Sequence, residues 1–199
     1  METQLATQRV DSCIGALYHR LMQLDISDSI DVIVLSDHGM AQCGPERFIR
    51  LLDYVPERWI ARGDYAVPTH LDAATGCLDS LYEALKEVPH MRVWRRGEVP
   101  AYLQAGDNPR NGDLILDPDL AWNIGLDQFS GDPGQHGFDP RYPEMQVPFW
   151  AIGPDFRRHY SKESLFANTA IYPLVCHLLH IEPATGIDGR LEEIGDVLR

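Results

Sequence analysis

Two short stretches carry residues whose types and spacing could do chemistry. In "DVIVLSDHGM", residues 31–40, an apolar run ends abruptly in Asp37 and His38. A carboxylate and a neutral imidazole are ligands that suit Zn²⁺ or a similar divalent ion. They stand at the carboxyl end of an expected strand, where loops of an open α/β sheet can converge on a ligand without disturbing the core. Gly39 leaves room for a sharp backbone turn. The bland alternative, in which Asp37 caps a turn and His38 faces solvent, is equally compatible with a bare Asp-His pair. The second stretch, "DPGQHGFDP", sets His136 between two glycines, Gly134 and Gly137, and two acids, on a loop too polar to be core. Asp132 or Asp139 could accept its other ring proton and fix the tautomer, as commonly happens beside metal-bound histidine. Read alone, this segment is also compatible with a flexible surface loop.

Other chemistry-bearing residues stand out less. His177 and His180 fall in or beside an apolar helical pattern, and His19, His70, His90 and His159 have no local acidic or glycine context. The doublets Arg95-Arg96 and Arg157-Arg158 read as solvated faces. "GDNPRNGD" has glycines but no phosphate-cradling fingerprint, and there is no GxSxG elbow for a serine nucleophile.

The elements that must position the two motifs can be read from periodicity. Residues 3 to about 24 carry Leu5, Val10, Ile14, Leu17, Leu21 and Leu24 at helical spacing. "DVIVLS" follows as a continuous apolar strand, the pattern of a strand covered on both faces. "RFIRLLDYV" and "YAVPTHLD" are further strand candidates, the latter demoted by Pro68 to an edge or a shorter piece. A helix is expected over 75–88, ended by Pro89, with strands at 91–96 and 113–117. The polar loop "FSGDPGQHGFDPRYPEMQ" precedes a second buried-type strand, "VPFWAIG". Asn168 is placed to cap a last helix, "TAIYPLVCHLLHI", with Pro173 tolerable in or near its first turn. The alternation predicts an α/β protein with some antiparallel excursion in the middle.

Composition narrows the partners. The 199 residues hold 17 Lys+Arg against 30 Asp+Glu, a formal charge of -13. Such a surface repels phosphate backbones and disfavours coating of nucleic acid, whereas bound metal ions could supply the local positive charge that a small anionic substrate needs. Cys13, Cys43, Cys77 and Cys176 are scattered without a CxxC pair, which leaves the redox compartment open. No segment has the roughly 18 apolar residues of a membrane span.

Taken together, "VIVLSDHGM" (32–40), "NPRNGDLIL" (108–116), "GQHGFDP" (134–140), "VPFWAIGPDFR" (147–157) and "NTAIYPLVCHLLHIEP" (168–183) resemble the nucleotide pyrophosphatase/phosphodiesterase family of the alkaline phosphatase superfamily. The resemblance implies an alkaline-phosphatase-like, mostly parallel central sheet flanked by helices. It also implies two zinc ions, with other divalent metals as substitutes, and a Thr or Ser nucleophile. Asp37 and His38 would ligate the metal that activates that hydroxyl, and His136 the metal that activates water. The implied substrate is a nucleotide or other small phosphodiester or pyrophosphate.

In the family, the first metal aspartate, the nucleophile and a D-x-x-x-H ligand pair all precede the segment matching residues 1–40. Residues 1–199 are therefore expected to form a single domain, the C-terminal portion of such a catalytic domain, with an incomplete sheet and half of the metal site. Whether the chain is an enzyme by itself stays open. A related phosphonoacetate hydrolase or phosphomonoesterase shares the metal frame, and a non-catalytic α/β interaction module is the reading from a different class. An exposed sheet flank predicts a tendency to dimerise or aggregate. An extracytoplasmic location follows from the resemblance only.

Overall fold

The computed structural model describes residues 2–129 and 131–199; Met1 and Ser130, the latter inside the polar loop, lie outside the described residues. The chain divides into two compact units, one formed by residues 1–37 and 148–199 and the other by residues 38–147. The division falls between Asp37 and His38.

In the first unit, helix α1 (Glu2–Leu21) realises the expected amphipathic pattern, yet its Leu5, Val10 and Leu17 remain exposed. Strand β1 (Val32–Leu35) ends just before the Asp-His pair. Its partner here is the late strand Phe149–Ile152, antiparallel, with Val34 opposite Trp150 and Leu35 opposite Phe149. Ile33, Phe149 and Ala151 pack on a core of Phe156, Ala170, Leu174, Ile194 and Val197. Because successive strand residues point to opposite faces, Trp150 and Ile152 face away from that core and are exposed. The buried-type reading of "VPFWAIG" is thus corrected to a one-sided strand. The last helix (Ile171–Leu178) carries Pro173 in its first turn, as anticipated. Asn168 makes no cap; its side-chain amide donates to the Asp37 carbonyl at 3.0 Å instead.

The second unit begins with β2 (Ala41–Gln42) and β3 (Phe48–Arg50), then β4 (Ile60–Asp64) and β5 (Thr69–Ala73). Helix α2 (Leu78–Leu85) leads to β6 (Met91–Arg95), β7 (Leu114–Pro118), β8 (Asn123–Gly125) and β9 (Gly134–Gln135). With these named, the strand Phe149–Ile152 is β10 and the helix Ile171–Leu178 is α3. Strands β4, β5, β7 and β6 form one antiparallel sheet in that order. Leu71, Met91, Val93, Leu114 and Leu116 line one face and enclose a core with Leu81 and Leu85 of α2. Strand β5 is central, not an edge: Pro68 precedes its first residue, so no ladder hydrogen bond is lost to the missing N–H.

The protein is α/β, as expected. The expected mostly parallel sheet is represented by one pair among the described residues, β3 with β8; the other pairings are antiparallel. The short, closely connected segments of the second unit favour hairpin-like pairing, since parallel neighbours need long crossovers.

Candidate functional site

The second unit brings His38 and His136 together. Their rings are stacked, with centroids 3.6 Å apart and planes 12° from parallel. Two backbone features put His38 there. The N–H groups of Gly39 and Met40 donate to the carbonyls of Met145 and Glu144, at 3.3 and 3.0 Å. The backbones run so close that a Cβ on Gly39 would stand 1.9 Å from the Glu144 oxygen. His38 Nδ1 lies 2.9 Å from the Gly39 carbonyl, which can only accept, so Nδ1 carries the proton and the ring lone pair sits on Nε2.

His136 arrives from the other side. Strand β9 pairs with β2, Ala41 opposite Gln135 and Gln42 opposite Gly134, and the Cys43 N–H donates to the Pro133 carbonyl at 2.8 Å. After His136 the chain turns at Gly137, whose φ of +92° suits glycine and whose Cα abuts the Val67 carbonyl. Phe138 is buried with Ala41, Cys43 and Ala121.

The expectation that Asp132 or Asp139 orients the His136 ring is replaced by another arrangement. Asp132 is exposed. The Asp139 carboxylate accepts from the Tyr102 hydroxyl at 2.7 Å and from Arg141 Nη2 at 2.6 Å and Nε at 3.0 Å. The Arg141 hydrogen bonds hold this carboxyl well below the usual carboxylate range. Asp37 ends the first unit, its side chain exposed and Oδ1 3.4 Å from the Ser36 hydroxyl.

Sequence reasoning passed over the partners of some other residues. His90 stacks on Trp122 at 3.9 Å and its Nδ1 lies 3.2 Å from Asp119, an acidic neighbour distant in sequence. Two D-x-x-x-H spacings also occur, Asp132 to His136 and Asp155 to His159. Between Asp132 and His136 lies β9, where each residue advances the chain by about 3.3 Å. That spacing therefore carries the two side chains apart, unlike a helical turn.

Divalent metal is what the resemblance implies for Asp37, His38 and His136. The paired imidazoles fit such an ion in donor chemistry. Among the described residues, however, no group of three or more His, Cys, Asp or Glu side chains converges. The second unit presents a pair of imidazole donors, not a closed four-ligand shell.

Comparison with known proteins shows the family of the chain. The family described as "Type I phosphodiesterase / nucleotide pyrophosphatase" matches residues 1–139. The chain belongs to this family. It is 34% identical over 175 residues to human ectonucleotide pyrophosphatase/phosphodiesterase family member 5, covering 86% of this chain and 36% of that protein. It is 34% identical over 178 residues to the bovine bis(5'-adenosyl)-triphosphatase ENPP4, covering 88% of this chain and 39% of that protein. The solved structure of human ENPP5 superposes with a TM-score of 0.87 at 32% identity, over 96% of this chain and 51% of that one. Murine ENPP5, solved as an inactive threonine-to-alanine variant in complex with AMP, superposes equally well at 31% identity. The fold is that of an alkaline-phosphatase-like fragment. The chain spans about half the length of the ENPP5 structure and less of the full-length relatives. Among the described residues no helix is long and apolar enough to cross a membrane.

Proposed function

We propose that this chain contributes to a two-metal site for hydrolysis of nucleotide phosphodiester or pyrophosphate bonds, with His38 and His136 as ligands and Asp37 as a further donor. The carrying observation is the stacked imidazole pair in a member of the phosphodiesterase family. Two imidazoles stacked face to face could offer one ring to each of two neighbouring ions, as a two-metal phosphoryl-transfer centre requires. Bound zinc would polarise phosphoryl oxygens and lower the pKa of an attacking hydroxyl or water.

The chain's own residues do the positioning. The Gly39 carbonyl fixes the His38 tautomer and so selects Nε2 as the donor nitrogen. Gly39 and Gly137 let the backbone approach its neighbours closely on either motif. The acidic balance of the protein makes ions at this site the local positive charge for an anionic nucleotide. The bis(5'-adenosyl)-triphosphatase relatives and the AMP complex of ENPP5 support a nucleotide as the substrate class. Self-association through exposed apolar strand and helix faces belongs to the same reading.

Zinc titration calorimetry on the protein at neutral pH, beside His136→Ala, tests the site. Binding weakened by at least about tenfold in the variant is expected, since even residues that merely support a ligand are worth that much. Zinc binding indifferent to His136 would remove the metal reading. Rates on a nucleotide diester, a phosphomonoester and a phosphonate then separate the diesterase from its related hydrolases, and preference for the phosphonate would sink the diesterase assignment.

A further inference from the structure

The segment after His136 is tied to the antiparallel sheet by a polar cluster around a buried carboxylate that metal ligation does not account for. Its centre is Asp139, only 3% exposed. Oδ2 accepts from Tyr102 and from Arg141 Nη2, and Oδ1 accepts from the Arg141 backbone N–H at 2.9 Å as well as from Nε. Arg141 also donates to the Tyr102 hydroxyl at 2.6 Å and lies over its ring, 4.2 Å from the centroid. A planar fork gripping one carboxylate from two directions leaves that carboxylate little freedom.

The sheet supplies the other side of the cluster. Arg92 of β6 and Asp117 of β7 are direct cross-strand partners on the face opposite α2, with Nη2 2.6 Å from Oδ2. Arg92 Nη1 reaches to 3.7 Å from Asp139 Oδ2. The loop carboxylate therefore meets a cation fixed on a strand. Before His136 the chain is held by β9 on β2; after it, by Phe138 and Asp139. His136 lies exposed between these two anchors, followed by Gly137.

We propose that Asp139 is a positioning residue for His136: the contacts of its buried carboxylate with Arg141, Tyr102 and Arg92 set the path of residues 136–139 and thereby hold the His136 ring against His38. The functional meaning rests on the reading of His136 as a metal ligand; the positioning itself does not. Asp139 acts through the backbone it pins.

The test uses the 199-residue protein with isotope-labelled histidines. Unsubstituted protein is expected to show nuclear Overhauser effects between the ring protons of His38 and His136. Asp139→Asn keeps the size but gives up the charge-assisted bonds, and should abolish these effects and weaken zinc binding on the order of tenfold. Backbone amide shifts of α2 and β5 should stay in place. Arg141→Gln removes the principal partner of Asp139 and should act the same way, so a poorly folding Asp139 variant does not end the test. Ring-to-ring effects that persist in either folded variant overturn the proposal. Their disappearance together with shifts throughout α2 and β5 also overturns it, because Asp139 would then act only on the fold. Their disappearance with α2, β5 and zinc binding all unmoved upholds the positioning and counts against the metal reading alone.

Discussion

His38 and His136 enter the sequence in different motifs and end as a face-to-face imidazole pair, their centroids 3.6 Å apart. Neither ring is placed by a long element. One leaves the turn at Gly39 and the other leaves the two-residue strand β9, so the pairing depends on close backbone contacts at both glycine-flanked motifs. The stability of those contacts can be measured separately from any chemistry.

Gly39→Ala should destabilise the protein by about 1–3 kcal/mol, the usual range for forcing atoms into a filled site. The new Cβ would meet the Glu144 carbonyl, a backbone atom that cannot swing away as a side chain could. Urea denaturation with the slope unchanged and the midpoint lowered is the expected result. An unaltered midpoint would mean that residues 39 and 144 do not approach as described.

Gly137→Ala combines two penalties, a positive φ and a Cβ 2.0 Å from the Val67 carbonyl oxygen. A positive φ alone costs a substituted residue about 1–2 kcal/mol. Gly134→Ala is the comparison: its φ is ordinary and its Cβ would meet only the flexible Met40 side chain, at 3.2 Å. The Gly137 variant should therefore lose clearly more stability than the Gly134 variant in parallel thermal melts. Equal losses would contradict the described turn.

The sequence made some of this legible and concealed the rest for identifiable reasons. The apolar period located α1, β1, α2, β6, β7, β10 and α3, and the Asp-His and His-Gly signatures singled out the residues that the fold pairs. Strand β9 was hidden in a polar loop because its ladder spans two residues, one of them glycine, too few to show an alternation. Burial on one side could not be told from burial on both in "VPFWAIG", where the outward residues are as apolar as the inward ones. Tyr102 carries no local signal for its bond to Asp139, since that contact joins distant segments. Arg95 and Arg96, read as a solvated doublet, instead pair with Asp79 and Asp113.

Asp117 should make stability depend on pH in a defined window. The residue is 4% exposed, and burial pushes its carboxyl up from 3.8 to about 6, with Arg92 pulling the other way and Asp139 adding to the rise. Between these values the native state binds more protons than the unfolded one, so stability falls as pH rises from about 4 to about 6 and levels off above. Each unit corresponds to about 1.4 kcal/mol, giving at most a few kcal/mol. Asp139 acts in the opposite sense and below this window, because its carboxyl is held low by Arg141. Asp31, raised by burial, is common to both proteins. Relative to Asp117→Asn, wild type should therefore lose stability as pH rises across the window; parallel profiles would refute the assignment.

Trp150 offers the remaining prediction. It is 62% exposed and Ile152 50%, on the face of β10 that turns away from the first unit's core, and Val32 and Val34 are their partners across the ladder. Adjacent apolar side chains of this size on one strand pair form a contiguous surface that favours association. Sedimentation velocity over a concentration series should show the average mass rising with concentration. Trp150→Gln combined with Ile152→Thr should reduce that rise. Substitutions at such exposed positions usually change stability by no more than about 0.5 kcal/mol, so unchanged thermal melts would separate lost association from partial unfolding. A wild-type protein that stays monomeric throughout the series would show that this face does not drive association.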